Sequence, residues 1–420
     1  MKSAVIKQLM FIVLCAAFFA ACRSGKLSNK NVADKYYTTR LQLNPQYVVE
    51  HRSADSTVLY LRLPLKDILF KKDENNAFAS RLYLIVNSYP DFTTKTIVDS
   101  ASFIFSPEYR QDSTVVLYKN FLLKLKSQKG VLNFALRDLN RNVLKEDFLL
   151  FDKAAQSPQT FFVTDNNAGL PFFGTHITPA ARVSVTGNEA NKNLYLRYFN
   201  KDYPVARPPF VMMEENKFSY TSSISKMVTD DELKNFSAPL PGIYHFQYDS
   251  TLLKGLTLFY FDDDFPLVTH ATQLIDGLRY ITSNKEYDKL KTATDKKEAV
   301  DNFWVELSGN RERARRLLLE YYSRMQDANR FFTSYLQGWK TDRGMIYLVF
   351  GKPQVVYVSD EKEYWEYAYT PGYGNLSFTF KRISNPFTDN DFELERQQSY
   401  EPVWYMAVDR WRQGRIDTRD

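Results

Sequence analysis

A short stretch near the C-terminal end combines two glycines, a large aromatic ring and adjacent opposite charges, and it reads Gly338-Trp339-Lys340-Thr341-Asp342-Arg343-Gly344. Glycine adopts a positive φ at little cost, so we predict that Gly338 ends a long helix. A buried tryptophan removes a large apolar area from water. Trp339 is therefore predicted to pack against that helix and to determine how the following segment docks.

The polar residues of this stretch have chemistry that suits local structure. Thr341 and Asp342 can accept hydrogen bonds from nearby backbone amides in a tight turn. Arg343 carries a planar guanidinium that fits a carboxylate or backbone carbonyls, and Gly344 is predicted to release the chain into a strand that begins at Met345. These features favour a structural role, as a helix stop and a clamp between segments. A ligand or partner site built on Asp342 and Arg343 is the alternative, and catalysis is the least favoured reading.

Length and composition limit the class of protein. The 420 residues are 44% apolar and 25% charged, which excludes a largely disordered chain. Aromatic residues make up 15% of the chain, which favours β-rich packing over a helical bundle. Lysine and arginine exceed aspartate and glutamate by only 55 − 49 = 6, spread along the chain, so nucleic acid is not an expected partner.

Hydrophobic alternation predicts two β-rich segments. Residues 57–63 place leucines at every second position, which is the pattern of a half-buried strand. Similar short runs, separated by turn-forming residues, continue to about residue 265, where the period becomes helical. The predicted fold is multidomain and mainly β, with two antiparallel β-sandwich-like domains (41–157 and 158–265), a helical connector (266–337), a C-terminal α+β module (338–412) and a tail (413–420).

Helix boundaries are marked within the connector. Asp295 and Glu298 have the spacing of a capping box, and Gly309 can end the helix that they open. Asn310 can cap a second helix that runs to about Phe332. In the C-terminal module, alternation and β-branched residues predict strands at 347–350, 355–358, 364–369, 376–380 and 403–408.

The stretch from Gly338 to Gly344 matches the signature of the GWxTD-domain family, a group of bacterial envelope lipoproteins of poorly defined function. The resemblance covers about residues 295–370 and includes the pairs Phe303-Trp304 and Ala328-Asn329. The family carries no established catalytic assignment, so no catalytic residue is predicted from it. The resemblance implies a structural or partner-binding role for Gly338, Trp339, Thr341, Asp342, Arg343, Gly344, Gly351, Pro353 and Trp365.

The first residues resemble a bacterial lipoprotein signal peptide. Lys2 and Lys7 precede an apolar run at 9–21 that is too short to span a bilayer. The run closes with Phe19-Ala20-Ala21-Cys22, which is similar to the lipobox at which lipoproteins are cleaved and lipidated. The resemblance implies a signal peptide over 1–21, a lipid on Cys22, a polar tether over 22–40, and the periplasmic face of a Gram-negative outer membrane. An ordinary signal peptide with an incidental cysteine is the alternative.

Candidate groups for catalysis or metal binding are few. Cysteine occurs only at positions 15 and 22, so the mature chain would have neither a disulfide nor a thiol nucleophile. The run Asp262-Asp263-Asp264 lacks the ligand spacing of a calcium loop and is predicted to be a solvated turn between domains. The histidines are too far apart in sequence to form a metal motif, and surface or half-buried positions are predicted for His51, His176, His245 and His270. We therefore predict no enzyme activity, no metal and no cofactor.

Together these features predict a non-catalytic, lipid-anchored protein that binds a protein partner as a scaffold or accessory subunit in envelope assembly or secretion. The alternative is a glycan or peptidoglycan binder that uses exposed aromatic residues. On the predicted strand 364–369, Trp365, Tyr367 and Tyr369 share one face. A sugar platform would expose that face, whereas a packed domain would bury it, and burial is the favoured prediction.

Overall fold

The computed structural model describes residues 26–37, 42–154, 157–188, 194–200, 203–212, 220–370 and 374–416. The predicted signal peptide, Cys22, and the ends of the predicted tether and tail lie outside these ranges. Within them the fold is multidomain and mainly β, as predicted, with antiparallel sheets and a helical part toward the C-terminus. In these ranges no helix has the length and apolar character needed to cross a bilayer.

The first sandwich is formed by residues 42–154. A three-stranded sheet of order β1-β2-β7 faces a four-stranded sheet of order β6-β5-β8-β9. Leucines of β2 alternate inward and meet those of β5, so the two sheets share one apolar core. Its strands are β1 (Gln46–His51), β2 (Thr57–Pro64), β3 (Lys71–Lys72), β4 (Phe78–Ala79), β5 (Leu82–Tyr89), β6 (Asp99–Phe105), β7 (Val116–Leu123), β8 (Lys129–Asp138) and β9 (Val143–Asp152).

The second sandwich follows the same principle with shorter strands. A sheet of order β11-β10-β12 faces a sheet of order β14-β13-β15-β16, and their inner residues form a separate core. The strand β14 lies at the edge of its sheet and is exposed along most of its length. The elements are β10 (Phe161–Asp165), β11 (Leu170–Pro171), β12 (Val183–Gly187), β13 (Leu194–Phe199), β14 (Ile224–Val228), α1 (Asp230–Lys234), β15 (Gly242–Gln247) and β16 (Leu256–Tyr260).

The C-terminal part packs helices against a four-stranded sheet of order β17-β18-β19-β20. One continuous core contains residues from the helices before the motif and from the sheet after it, so the predicted connector and α+β module share a single interior. The elements are α2 (Ala271–Gly277), α3 (Asn284–Thr292), α4 (Lys296–Ser308), α5 (Arg311–Phe332), α6 (Asp342–Phe350), β17 (Val355–Val358), β18 (Lys362–Thr370), β19 (Gly374–Arg382), β20 (Phe392–Leu394) and α7 (Glu401–Arg412).

The predicted helix boundaries of α4 and α5 are confirmed. The Asp295 side chain accepts a hydrogen bond from the Glu298 amide at 2.9 Å and begins α4. Gly309 follows the last residue of α4 with a φ of 76°, which is the left-handed conformation that glycine tolerates. The Asn310 side chain then accepts from the Arg313 amide at 2.8 Å and begins α5.

Two predicted strands are wrong, because both segments are helical. Residues 347–350 lie in α6, which is buried on nearly all sides and therefore has no polar face to reveal a helical period. Residues 403–408 lie in α7, where Trp404, Ala407 and Trp411 are buried at helical spacing. The period of α7 is obscured in the sequence because Tyr405 and Met406 are apolar yet exposed.

The predicted polar tether is wrong over residues 26–37, which we name the strap. It forms two 3₁₀ turns, at Leu27–Asn29 and Ala33–Tyr36, and is packed against the rest of the molecule. Leu27 and Tyr36 are buried, because apolar side chains at these two positions enter cores of the folded chain. The backbone of the strap is hydrogen-bonded to β17, from the Val32 amide to the Val356 carbonyl at 2.9 Å.

Two of the four histidines are buried, contrary to the prediction of surface or half-buried positions. His51 and His245 are 1% and 2% exposed. The Nδ1 atoms of these rings lie 2.8 and 2.9 Å from the Thr57 and Thr257 hydroxyls, respectively. Burial disfavours the charged imidazolium, so it lowers the pKa of each ring to about 4.

These histidines predict a loss of stability on acidification. Below pH 6.5 the unfolded chain takes up protons at both rings while the folded chain does not, so the free energy of unfolding falls as the pH decreases toward 4. The loss is about 2 kcal/mol per ring at pH 5. In urea titrations, the free energy of unfolding decreases between pH 7.5 and pH 5. For His245→Gln this decrease should be smaller than for the unmodified protein by about 2 kcal/mol. The matched variant of the exposed His270, His270→Gln, should leave it unchanged, and an equal decrease in all three proteins would contradict the prediction.

Candidate functional site

The two glycines of the motif allow close backbone packing at the junction of α5 and α6. The prediction that Gly338 ends α5 is wrong, since α5 ends at Phe332 and Gly338 lies in a 3₁₀ turn at Gly338–Lys340. A Cβ atom at Gly338 would lie 1.8 Å from the Ala328 carbonyl oxygen. A Cβ atom at Gly344 would lie 1.9 Å from the Gly338 carbonyl oxygen. Both glycines are therefore required because no side chain fits between these segments.

Trp339 is buried at this junction, as predicted. Its side chain is 3% exposed and belongs to the C-terminal core. The indole Nε1 donates to the Gln337 side chain at 2.9 Å, and the Trp339 carbonyl accepts from the Tyr280 hydroxyl at 3.1 Å. The backbone amide donates to the Asn329 side chain at 3.3 Å. Trp339 thus connects α5 and the 3₁₀ turn after α2 to the start of α6.

Thr341 has the local role predicted for it, whereas Asp342 does not. The Thr341 hydroxyl accepts from the Gly344 amide at 3.1 Å and begins α6, so Met345 lies in a helix and not in a strand. The Asp342 carboxylate accepts from the Leu394 amide at 2.8 Å and pairs with Arg396 at 2.6 Å. The first turn of α6 directs this carboxylate toward β20, because the adjacent Thr341 already satisfies the local amide.

Arg343 uses its planar guanidinium as predicted. One nitrogen donates to a Glu363 carboxylate oxygen at 2.8 Å, and another donates to the Asn390 carbonyl at 2.8 Å. The guanidinium carbon lies 5.2 Å from the Phe332 ring centre and 4.0 Å from the Phe392 ring centre. The Arg343 and Glu363 side chains are 3% and 1% exposed, so the ion pair is removed from solvent.

Glu363 is the central acceptor of this cluster and was missed by the sequence reasoning. In addition to Arg343, its carboxylate accepts from the Trp365 indole at 3.0 Å and from the Tyr36 hydroxyl. Burial, followed by the charge of Glu363, raises the pKa of Tyr36 well above its usual value, so Tyr36 acts as a donor. The sequence does contain one signal that could have identified Glu363, which is its position on the same strand face as Trp365. We name this cluster the buried network, which consists of Tyr36, Arg343, Glu363 and Trp365.

The other predicted motif residues lie beside the same core. Gly351 follows α6 with a φ of 85°, and its carbonyl accepts from the Tyr367 hydroxyl at 2.9 Å. The Pro353 carbonyl accepts from the Tyr37 hydroxyl of the strap at 3.3 Å. Trp365 and Tyr367 are 0% and 5% exposed, whereas the Tyr369 side chain lies outside the described set. Burial of this face is confirmed for the first two rings, so a glycan platform on β18 cannot use Trp365.

Two charged groups of the motif, Asp342 and Arg343, are bound to internal partners, which limits the chemistry that these two side chains can perform. The carboxylate of Asp342 and the guanidinium of Arg343 are both bound within the fold and shielded from solvent. Among the described residues, no group of three or more His, Cys, Asp or Glu side chains is arranged to hold a metal ion. The Asp342 and Arg343 side chains therefore contribute to the fold and are not presented to solvent.

A separate surface feature lies on the second sandwich. A groove with a volume of about 450 Å³ runs beside the edge strand β14 and is lined mainly by apolar and aromatic side chains. Ile224 and Leu240 at this groove are 53% and 54% exposed. Apolar side chains exposed in a contiguous group are a feature of binding surfaces.

Comparison with known families identifies the C-terminal part of the chain. Residues 242–413 match the family model described as the GWxTD domain. This chain contains a GWxTD domain. The match begins at the first residue of β15 and ends just after α7, so the domain includes the last two strands of the second sandwich and all the helices and strands of the C-terminal part. No curated protein matches the chain.

Replacing Trp339 is expected to destabilise the GWxTD domain. Trp339→Ala removes a buried ring and leaves a cavity that the surrounding backbone cannot fill. The free energy of unfolding should therefore fall by about 3–5 kcal/mol. Tyr405→Ala removes a ring that is 54% exposed in α7, and it should change the free energy by less than about 0.5 kcal/mol. Denaturant unfolding followed by tryptophan fluorescence and circular dichroism measures both. Equal stability of Trp339→Ala and the unmodified protein would contradict the assigned packing.

Breaking the central ion pair is expected to cost far more than breaking an exposed pair. Glu363→Gln leaves the buried Arg343 charge without a counterion, which should lower the free energy of unfolding by about 3–5 kcal/mol. Glu395 pairs with Lys381 at 3.4 Å on the exposed side of the sheet. Glu395→Gln should therefore cost less than about 1 kcal/mol. Similar costs for the two variants, measured by urea unfolding at pH 7.5, would show that the buried pair does not stabilise the domain as described.

Proposed function

We propose that this chain is a non-catalytic lipoprotein, anchored through Cys22 to the periplasmic face of the outer membrane, which serves as a scaffold or accessory subunit in envelope assembly or secretion. The observation that carries the proposal is that the charged side chains of Asp342 and Arg343 are already paired inside the fold. Asp342 and Arg343, the charged groups most suited to chemistry or ligand binding, are 6% and 2% exposed and bound to internal partners. The signature therefore serves the fold, and binding is left to the exposed surfaces.

The N-terminal region supports membrane attachment. The sequence that ends at Cys22 resembles a lipobox, and a multiply acylated N-terminus is a stable membrane anchor. The strap that follows is packed into the GWxTD domain through Tyr36, whose hydroxyl binds Glu363. An anchor joined to the interior of the domain in this way would hold the whole protein at the membrane, as expected for a membrane-bound scaffold.

The second sandwich supports a protein partner. The groove beside β14 exposes apolar side chains, and its edge strand retains a free side in the described part of the chain. Edge strands and exposed apolar grooves are both used in protein association. Three polar side chains of the groove are already paired, since the Tyr244 hydroxyl donates to the Leu240 carbonyl and Lys226 pairs with Glu232. Apolar contact is therefore the main interaction that the groove offers.

The test is in-cell crosslinking followed by purification in mild detergent and mass spectrometry. A stoichiometric envelope protein should be recovered with the unmodified chain. It should be lost with Cys22→Ala, which removes the lipid attachment site. Cys15→Ala is the matched control, because it removes the other cysteine of the chain from the signal peptide and should leave both lipidation and the partner unchanged.

Three outcomes would contradict the proposal. A lipidated protein that is recovered alone at every crosslinker concentration would argue against a scaffold. Substrate turnover that copurifies with the protein and disappears with a single point mutation would show that the chain is an enzyme. An unmodified Cys22 in the purified protein, determined by intact-mass measurement, would argue against the anchor.

A further inference from the structure

We propose that one defined face of the protein rests on the lipid headgroups, an inference that depends on the lipidation of Cys22 proposed above. The face consists of Lys26, the loop 91–98 between β5 and β6, and the turn 359–361 between β17 and β18. We name it the anchor-proximal face. It is identified by where the strap begins and by how little chain separates that point from the lipid.

The strap is bound firmly on both of its sides. Toward the first sandwich, Lys30 pairs with Glu146 at 2.7 Å and Lys35 pairs with Asp147 at 2.9 Å. Toward the GWxTD domain, the Asn31 side chain accepts from the Val356 amide at 2.9 Å. The Tyr36 carbonyl accepts from the buried Tyr347 hydroxyl at 3.1 Å, so the end of the strap is held inside the domain. The position at which the chain leaves the fold is consequently determined by the fold itself.

The strap begins at the junction between the first sandwich and the sheet of the GWxTD domain. Leu27 is 1% exposed and packs in a small core with Tyr89 and Phe92. The Ser28 amide donates to the Phe92 carbonyl at 2.9 Å. The Phe92 amide in turn donates to the Asp360 carboxylate at 3.3 Å, which places the 359–361 turn beside the 91–98 loop. Lys26, the loop and the turn therefore form one surface.

The length of the intervening chain restricts how far this surface can lie from the membrane. Four residue steps separate Cys22 from Lys26, and four extended steps span at most about 14 Å. The headgroup region itself is about 5–8 Å thick on each side of a bilayer. A lipid on Cys22 with its acyl chains in the hydrocarbon region therefore holds Lys26 at or just above the headgroups. Residues 26–37 add nothing to this reach, because the strap is already part of the fold.

The side chains of the loop suit a lipid interface. Lys95 is exposed, and the next residues of the loop include Ile97 and Val98, which are 37% and 42% exposed. A cation beside exposed aliphatic side chains is the combination found on surfaces that contact headgroups. The loop also contains Asp91, whose carboxylate is occupied by the amides of Thr93 and Thr94 at 2.7 and 2.6 Å. Hydrogen bonds from Thr94 and Thr93 lower the pKa of Asp91 to about 2, so this carboxylate stays charged, and the turn adds the exposed Glu361 to the face.

The test measures the depth of a fluorescent probe in reconstituted vesicles. The mature lipoprotein would have no reactive thiol, since Cys22 is blocked by its lipid, so Thr96→Cys and Asn75→Cys each accept one probe. Both positions are exposed. Asn75 lies on the β3–β4 hairpin, near the Leu82 end of β5, whereas the loop follows its Tyr89 end, about 23 Å farther along the strand. The full-length lipoproteins are placed in phosphatidylethanolamine and phosphatidylglycerol vesicles that contain a headgroup spin-labelled quencher.

The expected result is loss of emission from the probe at Thr96→Cys and retained emission at Asn75→Cys. A third protein carries Thr96→Cys together with roughly a dozen Gly and Ser residues inserted between Gly25 and Lys26, which would add a flexible segment between Cys22 and the strap. This protein should still float with the vesicles but should recover its emission. Retained emission at both positions, or stronger quenching at Asn75→Cys, in a protein that floats would overturn the orientation while leaving the anchor intact.

The same samples separate failure of this inference from failure of the proposed anchor. Intact mass reports the lipid on Cys22, and flotation reports attachment to the vesicles, independently of where the probe lies. An unlipidated protein that does not float would overturn both proposals. A lipidated protein that floats and remains quenched at Thr96→Cys after the insertion would show that the face binds lipid through its own side chains, which also supports the proposed orientation.

Discussion

The buried ion pair between Arg343 and Glu363 is the constraint on which the arrangement of the GWxTD domain depends. Removing each charge from water costs several kcal/mol, and the cost is offset only when every donor and acceptor finds a partner in good geometry. Arg343 meets this requirement with Asn390, and Glu363 meets it with Trp365 and Tyr36. These partners lie on α6, on β18, on the loop before β20 and on the strap. The charge pair therefore specifies how four distant segments are assembled.

This arrangement explains why a recognisable signature need not mark a reaction centre. The motif requires small residues where backbones approach, a large ring at Trp339, and two charges whose partners come from elsewhere in the domain. Each requirement concerns packing or the satisfaction of buried polar groups. The function and the orientation proposed above therefore place the partner at the groove beside β14 and the membrane at the anchor-proximal face, both of which are exposed surfaces. The strap connects the interior with the proposed anchor, since it contributes Tyr36 to the core and begins four residues after Cys22 in the sequence.

Sequence reasoning succeeded where the local pattern and the final structure agree. Two such patterns are the leucine alternation of β2 and the capping by Asp295 and Asn310. Both depend only on residues a few positions away in the sequence, so both could be predicted. It failed for α6 and α7, where burial on nearly all sides or exposed apolar residues conceal the helical period. It also failed for Glu363 and for the strap. Their partners are far away in sequence, and no local pattern reports a contact between Tyr36 and Glu363.

The sequence by itself determined the mainly β architecture, the bounds of the two central helices, the identity of the motif and the resemblance of its first residues to a lipoprotein signal. These properties follow from periodicity, capping and residue chemistry, which are all local. Only the tertiary structure decided that Asp342 and Arg343 face inward, that Trp365 is unavailable to a ligand, and that residues 26–37 belong to the fold. The physical reason is that burial and charge pairing depend on which segments meet in space, and that meeting is set by the packing of the whole domain.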